Sequence, residues 1–242
     1  LGPFEALCGF REPVATVELL HSIGGGASII ARLLADHDLD HTMRYLFGGG
    51  EEIQVLTKDV IEACQNHESL SAQWVNRLAV SYPDDPAVVA SLLLNYVTLE
   101  AGEALYLDPG NLHAYLSGTG IEVMGSSDNV VRCGLTNKHV DVNELLATVV
   151  AQPLPDPIVR ATPVAKTEAG RLWKYATPDA PFTLWVHQID GTETLRARTR
   201  ELTLCGVGAT NLLHRGEVCY LAPGEELTLS GKATLFRVTE ND

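Results

Sequence analysis

Positive charge is scarce in this chain. Its 242 residues include 17 Lys or Arg against 31 Asp or Glu, a formal net charge of −14. Nucleic acid and anionic membrane surfaces reward clustered Lys and Arg, so neither is expected as a partner. An anionic small molecule would have to be held by a local basic site against the field of the whole chain. The five cysteines, Cys8, Cys64, Cys133, Cys205 and Cys219, are odd in number, and no two stand at CxxC spacing. A reduced, cytoplasmic protein is the expectation. No apolar run approaches the roughly 20 residues of a membrane helix. The best, VVASLLLNYVTL, is far shorter. No signal-peptide pattern is visible. The opening LGPFEALCGF has no Met and reads as a strand entered mid-domain, so the sequence is expected to be a fragment missing its N-terminal part. With 45% apolar residues, a core of useful size needs no disulfides.

Periodicity divides the chain. PFEALCGF reads as a strand. PVATVELLHS, ASIIARLLADHDL and LTKDVIEACQNHESLSAQWVNRLAVSY then space apolar residues three and four apart, as amphipathic helices do. Pro13 suits a first helical position. The triplets Gly24–Gly26 and Gly48–Gly50 break the helices. The first lacks the GK[ST] ending and preceding strand of a phosphate loop, so it reads as a plain connection. In PDDPAVVASLL, Asp85 is an expected N-cap ahead of Pro86. His37 and His41 stand four apart without a Glu-x-x-His element and read as a solvated helix face. From Leu94 the period falls to two, with short strands and Gly, Pro and Asn turns. HVDVNELLATV is a short helix with Asp141 and Glu144 at capping-box spacing. QPLPDPIV reads as a stiff linker. The remainder is strand: LWKYAT, FTLWVHQI, ELTLCGV, GEVCYLA, EELTLSG and ATLFRV. The fold class expected is mainly β with a helical insertion, built as jelly-roll barrels. The expected divisions are 1–12, 13–93 (helical), 94–150 and 151–242.

Two segments repeat. AGEALYLDPGNLHAYLSG (101–118) and RGEVCYLAPGEELTLSG (215–231) share Gly-Glu-x-x-Tyr-Leu-x-Pro-Gly, then Leu-Ser-Gly after a one-residue slip. The shared pattern is a strand running into a tight turn. His113 follows the turn in the first copy, and Leu227 stands there in the second. A lone strand histidine is usually structural. The repeat weakens that reading, because the second copy manages without one.

The residues after His113 weaken it further. HAYLSGTGIEVMGSSDNVVRCGLTNK gathers His113, Tyr115, Glu122, Asp128, Asn129, Arg132 and Lys138 within three expected strands or turns. His113 and Tyr115 are two apart and share a strand face. A returning strand would bring Glu122 to the same cavity. Arg132, flanked by Val130, Val131 and Cys133, is expected to be buried beside a specific anionic partner. A histidine, a carboxylate, a phenol and two cations suit an anionic, polyhydroxylated substrate.

This stretch closely resembles a signature of the type I mannose-6-phosphate isomerases. Gly125, Cys133 and Asn137 depart from that pattern, beside its polar positions rather than at them. PFEALCGFRE, LLLNYVTLEAGEALYL and KHVDVNELL resemble the family as well. The resemblance covers residues 3–150 well and the rest more weakly. It implies a zinc-dependent aldose–ketose isomerase with two cupin barrels, acting on a sugar phosphate as a monomer. It also implies His113 as a zinc ligand, Arg132 as the active-site arginine, Lys138 as a phosphate contact, and Tyr115, Glu122 and Asn129 as pocket residues. Glu122 is the candidate proton carrier. The family's other zinc-ligand motifs, resembling Gln-x-His-Pro and Asn-His-Lys-Pro-Glu, do not occur in the sequence. The remaining ligands of one Zn2+ per complete chain are therefore expected upstream of residue 1. Two alternatives stand beside this reading. A dioxygenase-type metal cupin needs a histidine cluster that His139, His187 and His214 do not form. A non-catalytic, sugar-binding bicupin would also lack the ligand motifs.

Overall fold

The computed structural model describes residues 1–127 and 129–241. Strand β1 (Phe4–Phe10) leads into the helices α1 (Pro13–Ile23), α2 (Ala27–Asp36), α3 (Leu39–Leu46), α4 (Glu51–Cys64), α5 (Leu70–Ser81) and α6 (Pro86–Ala90), then a 3-10 turn over Ser91–Leu93. β2 (Leu94–Leu99), β3 (Glu103–Leu105), β4 (His113–Ser117) and α7 (Val142–Thr148) follow. β5 (Ile158–Arg160), β6 (Thr162–Lys166), β7 (Gly170–Lys174), β8 (Phe182–Arg196), β9 (Glu201–Thr210), β10 (Val218–Leu221) and β11 (Glu226–Glu240) complete the chain. The architecture is mixed helix and sheet, with sheets of three, six and two strands. No described helix is long and apolar enough to cross a membrane.

Local chemistry explains the helix starts. Pro13 and Pro86 open α1 and α6. Asp38, Ser69, Asp85 and Asp141 each accept a first-turn N–H through the side chain. Two expectations change here. The long run over 56–82 is two helices, α4 and α5, because Ser69 begins a new cap while the apolar period continues across the break. His37 ends α2, and Asp38 starts α3, whose Leu39, Thr42, Met43 and Leu46 turn inward. His37 and His41 therefore lie on separate helices, their rings stacked 4.1 Å apart in solvent.

The three-stranded sheet runs β2-β1-β4. One face carries Leu7, Tyr96, Ala114 and Leu116 against the helical core of Phe10, Leu20, Ile30, Met43, Val60 and Leu92. On the other face, Ala6, Cys8 and Val97 meet Phe4, Leu105, Leu107, Leu154 and Ile158. Leu154 is pinned. Its N–H donates to Phe10 O, and its carbonyl accepts from Asn95 Nδ2 at 2.8 Å. The same Nδ2 lies 3.1 Å from the carbonyls of Cys8 and Phe10. Gly9 must be glycine, because a Cβ there would sit 2.6 Å from the Leu154 side chain. The stretch read as a linker is thus built into the first module, and Ile158 next pairs with Leu105.

The six-stranded antiparallel sheet runs β10-β9-β11-β8-β7-β6. The segments read as separate strands, EELTLSG and ATLFRV, form the single strand β11. Gly231 stays in the ladder opposite Gly191, both at positive φ, so the paired strands change direction together. Ile189, Leu195, Cys205, Leu229 and Leu235 form this module's core. Beside it Arg237 holds Glu201 through two contacts of 2.7 and 2.8 Å, with side chains 12% and 1% exposed.

Candidate active site

Cross-strand pairing places the first site residues. Cys8 is opposite His113 and Ala6 is opposite Tyr115. His113, Tyr115 and Ser117 thus share the sheet face away from the helices, and all three are exposed. His113 Nδ1 lies 3.1 Å from Asn111 O. A carbonyl only accepts, so Nδ1 is the donor here and Nε2 is the nitrogen left to face a ligand. The Tyr115 ring sits edge-on to Phe4 at 5.5 Å and 5.7 Å from the His113 ring. Its hydroxyl donates to Glu122 Oε1 at 2.5 Å. Partial desolvation of the ring first, then the hydrogen bond to Glu122 and its charge, push the Tyr115 phenol well above its usual range, so it stays a donor although the side chain is half exposed.

Glu122 reaches this face differently from the expectation. Among the described residues no strand follows β4 before α7, and Glu122 arrives on a loop. Asp128 lies outside the described residues. Asn129 is exposed.

Arg132 and Lys138 sit on the same long loop, on the part that docks against the helical block. Leu135 N–H donates to Asp85 Oδ2 at 2.7 Å, and Cys133 packs against the helical core. Arg132 is half-buried, not buried, and Lys138 is exposed. Neither side chain makes a hydrogen bond or ion pair among the described residues, so the anionic partner expected for Arg132 is not found there. No described hydrogen bond joins either cation to His113, Tyr115 or Glu122.

The metal question is one of donor count. Among the described residues no three His, Cys, Asp or Glu side chains are grouped to hold a metal ion. His113 offers one nitrogen, and Cys8 opposite it is a buried thiol pushed up to about 12 by desolvation. A catalytic zinc takes about three protein ligands, so these residues alone do not fit it.

Two polar features escaped the reading of the sequence. Asp85 was legible as a helix cap but not as a partner of the loop 50 residues on. In the second module His187 is 7% exposed with Arg237 3.5 Å from Nδ1. Burial, then the Arg237 charge, lowers its pKa below the usual 6.5, while Glu193 and Glu201 oppose the shift. Alternation along β8 marks His187 as inward, but only the fold shows what it faces.

No protein-family model matches the chain. It is 31% identical to the mannose-6-phosphate isomerase of Escherichia coli (strain K12) over 253 residues, covering 98% of this chain and 64% of that protein. It is 32% identical to the Salmonella typhimurium mannose-6-phosphate isomerase, covering 93% of this chain and 58% of the relative. The crystal structure of the Salmonella typhimurium protein bound to substrate (fructose 6-phosphate) and zinc superposes with a TM-score of 0.79 at 28% identity, covering 100% of this chain and 64% of that one. A crystal structure of a zinc-bound mannose 6-phosphate isomerase gives 0.80 at 29% identity, covering 100% of this chain and 64% of that chain. The chain thus spans somewhat less than two thirds of these relatives' length. By sequence and by fold, it is homologous to the type I mannose-6-phosphate isomerases along nearly all of its own length.

Proposed function

We propose that this chain is the helical block, part of the first barrel and the whole second barrel of a zinc-dependent aldose–ketose isomerase. The whole protein would interconvert mannose 6-phosphate and fructose 6-phosphate. The divisions proposed are 1–12 and 94–160 for the first cupin barrel, 13–93 for the helical insertion and 161–242 for the second, jelly-roll barrel, the stretch 151–160 going with the first through Leu154 and β5. The observation that carries the reading is the cluster of His113, Tyr115 and Glu122 on the open face of the three-stranded sheet.

The reaction moves a proton between C1 and C2 through an enediolate. Glu122 is the proposed proton carrier, held by the Tyr115 hydroxyl at a defined oxygen. Arg132 stays protonated and is suited to stabilise the developing oxyanion. Lys138 and Asn129 are proposed contacts for the phosphate and the sugar hydroxyls. His113 is proposed as one zinc ligand in the whole protein, through Nε2. Binding, charge stabilisation and proton transfer are the contributions assigned to the described residues.

The test is a coupled assay of fructose 6-phosphate formation by the whole protein, with His113→Ala, Glu122→Gln and Arg132→Lys. Glu122→Gln is expected to lower kcat about 10²- to 10⁴-fold. His113→Ala should lose bound zinc and activity together. A whole protein that binds mannose 6-phosphate without turning it over would replace this reading with the sugar-binding one. Full activity in His113→Ala would remove its metal role.

A further inference from the structure

We infer that Asp85, in the helical block, is a positioning residue for the loop that carries Arg132 and Lys138. The inference rests on the roles proposed above for those two cations. As an N-cap, Asp85 needs one carboxylate oxygen. Oδ1 accepts from Ala87 N at 2.9 Å and starts α6. The second oxygen of a surface cap ordinarily faces water. Here Oδ2 takes the N–H of Leu135 at 2.7 Å, across 50 residues of sequence.

The backbone around that bond is shaped to it. Leu135 has φ +53, the only positive φ of a non-glycine among the described residues. Such a conformation persists only where its surroundings over-determine it. Gly134, at φ +155, presses on the cap itself. A Cβ there would come within 2.4 Å of Ala87 Cβ and within 2.7 and 2.9 Å of the two Asp85 oxygens. Cys133 is packed on the helical core, and its thiol is pushed up to about 12, by burial first and the Asp85 charge second. Residues 133–135 are therefore held on the start of α6. Arg132 immediately precedes this anchored stretch. Lys138 follows it by three residues, with its own N–H on Thr136 Oγ1. One carboxylate thus fixes both a helix start and the loop bearing the two cations, without touching substrate.

A serine at this position still caps a helix but has one short acceptor. Asp85→Ser therefore separates the two roles. Asparagine keeps the size of aspartate and one acceptor oxygen, so Asp85→Asn tests the same point without shortening the side chain. Amide hydrogen exchange on the 242-residue chain reads the anchor directly. In both variants the Leu135 amide is expected to exchange about tenfold faster or more, with amides of 88–93 within about twofold of the parent. An unchanged Leu135 amide, or equal acceleration in α6 and the loop, would reduce Asp85 to a simple cap and overturn the inference. In the whole enzyme, Asp85→Ser is expected to raise KM for mannose 6-phosphate about tenfold with a smaller fall in kcat. An unchanged KM overturns it as well. Should the unsubstituted whole enzyme show no isomerase activity, the roles of Arg132 and Lys138 fall, while the exchange result still decides the anchor.

Discussion

Gly102 and Gly110 in the first copy of the repeat have φ of +91 and +86; Gly216 and Gly224 in the second have +90 and +88. Glu103 accepts from the N–H of Glu100, and Glu217 from that of His214, each three residues back. The Pro-Gly turns close alike, from Asn111 to Asp108 and from Glu225 to Ala222. What differs is the cover over the next strand. Leu227 pairs with Leu195 and packs on a closed core. His113 pairs with buried Cys8 and looks outward. The repeat encodes a backbone, and the residue placed just after the turn decides whether that backbone serves packing or chemistry.

The contrast can be broken hardest at the ion pair of the closed module. Glu201→Ala strands a largely buried Arg237, and should cost about 3–5 kcal/mol in chemical denaturation of the chain. The shared turn gives the next test. Gly224→Ala meets nothing within 4 Å, so it should cost only the left-handed backbone term, about 1–2 kcal/mol. Gly110→Ala adds contacts of 2.7 Å to Val150 Cγ2 and 2.8 Å to Thr148 O, and should cost a further ~1–3 kcal/mol. Equal costs would mean that the two turns sit in equivalent surroundings. At the diverged position, Leu227→Ala should destabilise by about 1–3 kcal/mol, and His113→Ala by no more than about 0.5.

The smallest effect is a pH dependence confined to the closed module. The folded pKa of His187 lies below the unfolded 6.5, so the unfolded state binds more protons in between. Its contribution to stability is fully present above 6.5 and is lost as pH falls through the folded value. Denaturation midpoints should therefore drop as pH falls below the unfolded value of 6.5, and His187→Gln should flatten that change.

Much of this was legible in the sequence because it is local chemistry. Asp85, Pro86, Pro13 and Asp141 announce helix starts through their own side chains, and the Pro-Gly turns announce themselves twice. That Glu122 would reach the face of His113 and Tyr115 was also legible, but it does so on a loop rather than a returning strand, and its bond to the Tyr115 hydroxyl was not foreseen. The misses lie where periodicity carries on past a boundary or where partners are remote. Apolar spacing does not break at Ser69, so α4 and α5 read as one. Gly231 looks like a strand end, yet its partner Gly191 shares the kink. The docking of Leu135 on Asp85 joins residues 50 apart, and nothing in either local pattern announces the other. Arg132, expected to be buried by its Val and Cys neighbours, is half-exposed because Cys133, not the guanidinium, takes the inner side.

The Asn95 clip has a practical corollary for anyone recombining such modules. Because one amide staples Leu154 to the end of β1 and β5 then pairs with β3, the natural seam between the two halves lies after Arg160, at Ala161. Inserted residues or a protease site there should be absorbed, whereas a single added residue between 151 and 153 would pull the staple out of register. A transplanted C-terminal half should begin beyond Arg160, and the donor half should keep Leu154 as its own plug.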